Sequence, residues 1–552
     1  MIKKSLISLM YEAASIQRWN DHIRPWTGFT ELDKQAHKMF YAYVLAKCEG
    51  ESVDMIKLIE GGIFEFFHRI VLTDIKPPIY HKLVKEKGFQ IDNWVLSELE
   101  EHMDGIGGGF FERMKKYYLD KDYASLEKQI LKAAHYHASN WEFKIIYPMN
   151  PQTFGIEQVK TEMAQGLAAC DTFHGFRYFA GSKYLQEFLS LIGKLRYQQR
   201  WAKAVRMPET FVMGHMLVVA ILSYFMSLEL DNPCRKRLEN NFFSGLFHDL
   251  PEVLTRDIVS PVKNSVKGLD SIISEIEDEQ MREVIYPLLP PAWHREIEYY
   301  TQNEFDSKII DDGEIDMVTS DLINEKYNED KYNPIDGQII RGCDHLSAYI
   351  EAYMSLSYGI KSEQMQSGYD HLKGKYKDKV IGGINFGELL CIMRYNREKK
   401  ELTFDEAKDK ALRLLEFRSH SERELSDKLK RAGAKEEDID EILEFCRNYS
   451  FLDDRKYAIA KAKDLKNLKK YGKRRIKSEL YSKGIDAEYV EEAVSYLDED
   501  EEDMLLPLVE KRLKGDFEKK NIDKCIRYFM YRGYGFSDIK NCIDNIKEEY
   551  GE

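Results

Sequence analysis

Apolar residues recur at helical spacing along most of the chain, and in the last third one such pattern occurs three times. Apolar residues four positions apart lie on one helix face, and a glycine suits the left-handed residue that ends a helix. The pattern therefore predicts three helical modules of about fifty residues each, stacked as a short solenoid. The three sets are Leu425, Leu429, Gly433, Ile439 and Leu443; Ile476, Leu480, Gly484, Val490 and Val494; and Cys525, Phe529, Gly533, Ile539 and Ile543.

A different repeat organises the first two thirds of the chain. The segment at 62–74, GIFEFFHRIVLTD, matches GLFHDLPEVLTRD at 245–257 without a gap. Upstream, Gln17-Arg18-Trp19 matches Gln199-Arg200-Trp201 one residue out of that register. We interpret this part as a tandem duplication. The predicted domains are 1–182, 183–398 and the solenoid at 399–552.

Composition narrows the class of protein. Only 14 of the 552 residues are proline, which together with the helical spacing predicts an all-α fold. The net charge of −14 argues against indiscriminate nucleic-acid binding but leaves room for a local basic patch. The eight cysteines are scattered without a CxxC pair, which indicates reduced thiols in a cytoplasmic protein. The longest apolar stretch, near Met216–Met226, is too short for a membrane span of ~20 residues, and the N-terminal segment fits an amphipathic helix better than a signal peptide.

Four residues of the second copy have the chemistry of metal ligands. His215 opens one apolar helix and Asp344 opens another, while His248 and Asp249 follow the apolar run between them. Two imidazoles and two carboxylates can hold one divalent cation and leave positions open for water and a substrate oxygen. Glu252, three residues after Asp249 on about the same helical face, is the candidate that positions or deprotonates the water.

These residues belong to a longer set of motifs. The set comprises Arg200-Trp201, His215 fourteen residues after the tryptophan, Leu-Phe-His248-Asp249-x-x-Glu252-Val-Leu-Thr-x-Asp257, Pro261-Val-Lys263 and Cys343-Asp344-x-Leu-Ser-Ala-Tyr. With them, residues 183–395 resemble the HD-domain phosphohydrolases, specifically the YfbR-like 5′-deoxynucleotidases. The resemblance implies an all-helical fold that removes the 5′-phosphate from deoxynucleoside monophosphates with one divalent metal ion. Cobalt, manganese, magnesium and zinc are all left open.

The resemblance also implies a role for each side chain of the motifs. The metal ligands would be His215, His248, Asp249 and Asp344, the water-orienting residue Glu252, and the substrate contacts Arg200 at the phosphate with Trp201 and Asp257 around the deoxyribose.

Two features depart from that family's pattern. Gly214 precedes His215 where the bacterial family usually has an acidic residue. The segment between Asp257 and Asp344 is longer than usual and contains an acidic, Tyr- and Asn-rich insertion at 299–336. The insertion is a candidate cover for the pocket that would alter substrate choice.

The first copy lacks the ligand set. His37 resembles His215 in context, Glu65-Phe66 stands at the position of the His-Asp pair, Arg69 replaces the glutamate, and His135 aligns with Asp344. A phenylalanine cannot bind a metal, and an arginine repels a cation. We predict that this half binds no catalytic metal and is a structural or regulatory partner. YfbR-like enzymes tend to pair, and the duplication would supply such pairing within one chain; the oligomeric state is left open.

The last third contains three further motifs: Ala411-Leu-Arg-Leu-Leu-x-x-Arg-Ser-x-Ser421-Glu-x-Glu-Leu, Leu452-Asp-Asp-x-x-Tyr457-Ala and Tyr471-Gly-x-x-Arg475-Ile-x-x-Glu-Leu-x-x-Lys-Gly484-Ile. With them, this part resembles RecX, the recombinase-modulating protein that binds RecA filaments. The segment 461–477 is rich in lysine and arginine, and such a stripe suits DNA phosphates or an acidic partner groove. The candidate contacts are Lys473, Arg474, Arg475 and Lys477.

The leading prediction is a metal-dependent phosphomonoesterase for nucleotides, with deoxynucleoside 5′-monophosphates as substrates, joined to a module that binds RecA or its DNA filament. The first alternative is a non-catalytic RecA regulator whose HD portion senses a nucleotide. The second is cleavage of a phosphodiester in a cyclic or alarmone nucleotide, which a single-metal ligand set disfavours.

Overall fold

The described residues fold predominantly as α-helices, which confirms the predicted all-α class. A computed structural model describes residues 2–73, 75–256, 268–360, 362–393, 402–497 and 501–550. The chain forms two compact units, Met1–Tyr395 and Asn396–Glu552. Within the described ranges, no helix is both long enough and apolar enough to cross a bilayer.

The first unit begins with the helices of its N-terminal half. They are α1 (Lys4–Ser15), α2 (Glu31–Glu49), α3 (Met55–Leu72), α4 (Pro77–Met103), α5 (Phe110–Leu119), α6 (Ser125–Met149), α7 (Ile156–Ala168) and α8 (His174–Gly181). Thr30 caps α2 by accepting a hydrogen bond from the Asp33 backbone N–H, and Asp54 caps α3 in the same way.

The second half of this unit starts at Ser182, which caps α9. Its helices are α9 (Lys183–Ile192), α10 (Val212–Leu228), α11 (Arg235–Phe247), α12 (Glu252–Thr255), α13 (Leu269–Gln280), α14 (Pro291–Thr301), α15 (Gly337–Ser357), α16 (Glu363–Tyr376) and α17 (Phe386–Ile392). Two antiparallel hairpins accompany them: β1 (Lys308–Asp311) with β2 (Glu314–Met317), and β3 (Val380–Ile381) with β4 (Ile384–Asn385).

One hydrophobic core runs through both halves of the first unit, and α2 and α10 pack against each other within it. Every residue of α10 is buried, as is α2 from Glu31 to Ala46. Gly214 permits their close approach, because a Cβ there would lie 2.9 Å from Leu32 Cγ and from Asp33 Oδ1. The glycine that departs from the family pattern is therefore required by helix packing.

The second unit contains three modules of three helices. The modules are α18–α20 (Phe404–Phe417, Glu422–Ala432, Glu436–Asn448), α21–α23 (Asp454–Asn467, Lys473–Ser482, Ala487–Ser495) and α24–α26 (Glu501–Leu513, Lys519–Tyr531, Phe536–Tyr550). Each module has its own hydrophobic cluster, and the apolar positions of the three repeats are buried in these clusters. Gly433, Gly484 and Gly533 have φ of 97°, 77° and 92°, the left-handed conformation predicted for them.

Candidate metal centre

Three helices bring the predicted ligands to one place in the second half of the first unit. His215 lies in the first turn of α10, His248 and Asp249 directly follow α11, and Asp344 lies on α15. Gly245 allows α11 to approach α10, because a Cβ at this position would lie 2.9 Å from Ala220 Cα. The two imidazole rings are 5.4 Å apart between centroids.

The donor atoms of the cluster face one another. One nitrogen from each of His215 and His248 and one oxygen of Asp344 all lie within 4.8 Å of one another. Asp249 Oδ2 is 3.1 Å from His248 Nε2 and 3.8 Å from His215 Nε2, and Asp344 Oδ1 is 3.0 Å from His215 Nε2. His215, His248 and Asp344 thus have donor atoms close enough to share one cation, and Asp249 lies beside the two histidines.

The outer nitrogens of both imidazoles are held by other groups. His248 Nδ1 lies 2.8 Å from the Gly245 carbonyl oxygen, and His215 Nδ1 lies 3.0 Å from Ser347 Oγ. Both Nε2 atoms are buried, and neither makes a hydrogen bond of acceptable geometry within the described part of the chain. A histidine that donates from Nδ1 presents the Nε2 lone pair to the cluster, which is how metal-binding histidines are usually oriented.

The electrostatics of the cluster also fit a cation. Burial would raise the pKa of Asp344, but the two histidines outweigh it and hold this pKa far below its usual range. Burial lowers the pKa of His215, whereas at His248 the carboxylates of Asp249 and Asp344 overcome burial and raise the pKa to about 9. Two half-buried carboxylates that stay ionised side by side favour a positive charge next to them, either a proton on His248 or a divalent metal ion.

Arg200 and Trp201 are held beside this cluster by a carboxylate that the sequence motifs did not identify. Trp201 Nε1 donates to Glu351 Oε2 at 2.8 Å, and Arg200 Nε lies 3.4 Å from the same oxygen. Thr210 donates to the other oxygen of Glu351 at 2.5 Å. The ring of Trp201 packs on Gly368, where no side chain would fit. Both predicted substrate contacts are thus fixed in position by Glu351.

Glu252 lies three residues after Asp249, and the insertion reaches His248. The Glu252 side chain is buried, and Gln198 Nε2 fixes its backbone by donating to its carbonyl oxygen at 3.0 Å. From the insertion, the Phe305 ring lies 6.0 Å from the His248 ring, and burial raises the pKa of Glu304, which also interacts electrostatically with His248. The insertion therefore reaches the metal cluster. Asp257 lies outside the described residues.

The first half repeats the arginine–tryptophan–carboxylate arrangement. Trp19 Nε1 donates to Glu142 Oε2 at 2.7 Å, and Arg18 Nε donates to the same oxygen at 2.9 Å. Trp19 and Trp201 both have positive φ, 59° and 55°. The repeated motif in the sequence is therefore repeated in geometry.

The structure corrects one position in the predicted alignment of the two halves. Lys34, and not His37, is the fourth residue of α2, as His215 is of α10. Lys34 Nζ lies 2.5 Å from Nδ1 of His135, the residue aligned with Asp344. His37 lies one helical turn further on, where its Nε2 is 2.9 Å from the Leu189 carbonyl oxygen. Residues one turn apart lie on a similar face of a helix, so their spacing alone could not show whether Lys34 or His37 is the counterpart of His215.

In the second unit, the four predicted basic contacts differ in their surroundings. Lys473 and Arg474 are exposed in the first turn of α22. Arg475 is half-buried, 2.7 Å from Glu479, with its guanidinium over the Tyr531 ring, and Lys477 pairs with Glu491 at 2.5 Å. The structure thus divides the stripe into two exposed side chains, Lys473 and Arg474, and two partly buried ones, Arg475 and Lys477.

Comparisons with known proteins agree with this division of the chain. The family model described as HD domain matches residues 192–373, and the models for the first and second three-helix domains of RecX match residues 407–446 and 453–494. The fold and the His/Asp cluster thus define an HD-domain protein that carries RecX helical domains.

Curated relatives identify the family of the chain. The regulatory protein RecX of Clostridioides difficile is 31% identical over 201 residues, covering 34% of this chain and 94% of that protein. RecX of Vibrio parahaemolyticus is 33% identical over 148 residues, covering 26% of this chain and 95% of that protein. A crystal structure of RecX from Lactobacillus salivarius matches with a TM-score of 0.24 at 24% identity, covering 26% of this chain and 96% of that one. The chain belongs to the RecX family, with an HD domain added to it.

Proposed function

We propose that the HD domain is a metal-dependent phosphohydrolase that releases phosphate from nucleotides, with deoxynucleoside 5′-monophosphates as its substrates. The observation that carries this proposal is the cluster of His215, His248 and Asp344, with Asp249 beside the two histidines. The buried Nε2 atoms of both histidines and the two ionised carboxylates fit a divalent cation, which these four residues would hold.

The other side chains of the site would bind the substrate and handle the proton. When bound, the metal ion polarises a phosphoryl oxygen and acidifies nearby water. Glu252 accepts the proton of the attacking water at a carboxylate oxygen, as a buried general base can. Arg200 supplies positive charge to the phosphate, and Glu351 keeps its guanidinium from turning away. Trp201, held by Glu351 and Gly368, gives the sugar a fixed flat wall, while Asp257 remains a predicted contact of the deoxyribose.

The test is release of inorganic phosphate from a panel of nucleotides with manganese, cobalt, magnesium or zinc added in turn. Asp249→Ala should abolish both metal binding and phosphate release. Asp316→Ala, which changes an exposed carboxylate on β2, is the matched control and should change neither. If the wild-type protein releases no phosphate with any of the metals but still binds a nucleotide, the HD domain is a nucleotide sensor and not an enzyme. Cleavage of cyclic or alarmone nucleotides in preference to monophosphates would instead favour a phosphodiesterase.

We infer that the first half of this unit is a second copy of the HD fold that has lost its catalytic metal. Support comes from the matching Arg-Trp-Glu arrangements and from Lys34 and His215 at equivalent helix positions. A buried ammonium and the half-buried Arg69 guanidinium occupy the region where the second half has its ligands. The two paired subunits of YfbR-like enzymes would then be replaced by two halves of one chain with a common core.

For the second unit we propose binding and modulation of the RecA recombinase or its DNA filament. Lys473 and Arg474 support this role, because they place two exposed basic side chains in the first turn of a helix, where positive charge opposes the helix dipole. Exposed, they are available to an acidic groove or to DNA phosphates. If the chain is a non-catalytic regulator, this role of the second unit is unchanged and only the hydrolysis by the HD domain is absent.

A further inference from the structure

Helices α15 and α16 run side by side in opposite directions next to the candidate metal centre. The rings of Tyr349 and Tyr369 stack with their centroids 4.6 Å apart, and further along the pair His345 Nδ1 lies 2.6 Å from the Tyr376 hydroxyl oxygen. Residue numbers thus fall along α15 while they rise along α16. The start of α15 therefore lies beside the end of α16.

Three kinds of group follow one another along this helix pair. At one end, Trp201, the proposed wall for the sugar, packs on the middle of α16 and donates to Glu351 of α15. Asp344 lies two helical turns before Glu351 and on about the same face of α15. At the other end, Arg341 lies one turn before Asp344, and Lys375 lies near the end of α16. The order is a sugar wall, a metal ligand, and then a basic pair formed by Arg341 and Lys375.

Contacts and charges connect the basic pair to the metal centre. The Arg341 guanidinium lies 5.5 Å from the centre of the Phe305 ring, and the same ring lies 6.0 Å from the His248 ring. Burial and the positive charge of Arg341 lower the pKa of Lys375, whereas the Asp344 carboxylate raises it. The two basic side chains are therefore close enough to each other and to Asp344 for their charges to interact.

The basic pair is available to an anion from solution. Arg341 and Lys375 are both exposed, and in the described part of the chain neither has a carboxylate within ion-pair distance. This is unexpected for chance in a chain whose acidic residues outnumber its basic ones by 95 to 81. A divalent ion bound to Asp344 would take up the charge of that carboxylate. The two cations would then repel each other until a phosphate group came between them.

We propose that Arg341 and Lys375 form a subsite for further phosphate groups of a substrate, so that the HD domain also accepts deoxynucleoside diphosphates and triphosphates. The inference goes beyond the proposed function and rests on it, because the proposed metal and sugar contacts define the order of groups. With the sugar at Trp201 and its first phosphate at the metal ligands, any further phosphates extend away from the sugar towards the basic pair.

The reaction breaks the same bond in these substrates as in a monophosphate. Water attacks the α-phosphorus and gives one proton to Glu252, and the bond from this phosphorus to O5′ of the deoxynucleoside breaks as O5′ takes up one proton. The products of dATP are deoxyadenosine and inorganic tripolyphosphate, and those of dADP are deoxyadenosine and pyrophosphate. Water is the co-reactant in both cases. Arg341 and Lys375 bind the phosphates beyond the first and do not contact the reacting atoms.

The experiment compares kcat/KM for dATP and for dAMP, with deoxyadenosine as the measured product and with manganese, cobalt, magnesium or zinc in excess. We expect the wild type to form deoxyadenosine from both nucleotides. In the double variant Arg341→Gln with Lys375→Gln, the ratio of dATP to dAMP should fall by about tenfold or more, because charge-assisted hydrogen bonds to phosphate are lost. Lys373→Gln removes an exposed charge from another face of α16 and is the matched control, which should keep the wild-type ratio. A ratio cancels any effect that is common to both substrates.

Three results would overturn the subsite and leave the proposed function intact. They are cleavage of dAMP but not of dATP, an unchanged ratio in the double variant, and preferential cleavage of deoxyadenosine 3′,5′-bisphosphate over dATP, which would put the second phosphate on the sugar side. If neither dAMP nor dATP is cleaved, the proposed function fails and equilibrium binding decides the question. Wild type must then bind dATP more tightly than dAMP, and the double variant must lose this difference; equal affinities in wild type contradict the proposal.

Discussion

Tyr11 belongs to the first half of the first unit, yet its hydroxyl supports His215, a proposed metal ligand of the second half. It lies 2.8 Å from Ser347 Oγ and donates to the Ser347 carbonyl oxygen at 3.2 Å, and Ser347 Oγ lies 3.0 Å from His215 Nδ1. All three side chains are buried. We therefore predict that Tyr11→Phe weakens metal binding without touching a ligand.

The magnitude follows from the bonds that are lost. A buried hydrogen bond contributes about 1 kcal/mol, and leaving its partner unsatisfied costs about 1–3 kcal/mol. Removing a group that orients a metal-binding histidine lowers metal affinity about 10–100-fold. Tyr11 acts on His215 through Ser347, so we expect the lower end of this range, an affinity about tenfold weaker, or about 1.4 kcal/mol.

The assay is titration of metal-free protein with manganese or zinc against a fluorescent chelator, together with urea unfolding of each variant. Tyr43→Phe is the matched control, because this buried tyrosine also bonds across the two halves, donating to Glu296 at 3.1 Å, but does not reach the cluster. The control should lose stability and keep its metal affinity. Equal metal affinity in Tyr11→Phe and wild type, or the same loss in both variants, would refute the reasoning.

Three further predictions concern other parts of the chain. Gly214→Ala should lower the free energy of unfolding by about 1–3 kcal/mol, because the added Cβ forces α2 and α10 apart; unchanged urea unfolding would contradict the packing argument. In Glu424, burial alone would raise the pKa, but the ion pair with Lys483 at 2.6 Å outweighs it and lowers the pKa to about 2. Glu424→Gln should therefore cost about 1–2 kcal/mol at neutral pH, a difference present above pH 4.5 and lost as the pH falls towards 2; a pH-independent difference in unfolding would argue against it. Lys473→Glu with Arg474→Glu should weaken DNA or filament binding and reduce the salt dependence by about two phosphate contacts, whereas unchanged affinity in a salt titration would remove the exposed pair from the interface.

The solenoid could be predicted from the sequence because its determinants are local. Leu425 and Leu429 lie one turn apart on a helix, and Gly433 ends that helix, so a short window contains all the information. The candidate metal cluster could be predicted for a different reason, because His248-Asp249 lies within a long family motif. That His215 and Asp344 lie near His248 was inferred from the family resemblance, since the spacing of these residues in the sequence does not show it.

Long-range packing could not be predicted in the same way. Nothing near Gly214 in the sequence indicates that the Gly214 backbone N–H donates a hydrogen bond to Asp33 Oδ1 at 2.9 Å. Nothing near Lys477 indicates that Glu491 neutralises it. Glu351 is the exception among the missed residues, because both halves have a glutamate at this position of their repeat, and that repetition was a usable signal.

The common core of α2 and α10 has a consequence for how the sequences of the two halves can diverge. In a symmetric homodimer each substitution occurs in both subunits, so an alteration that suits one pocket is imposed on the other. Here Lys34 and His215 stand at matching helix positions but are encoded by separate codons. One half can therefore lose the proposed metal ligands while the other retains them, and dilution cannot separate the two halves.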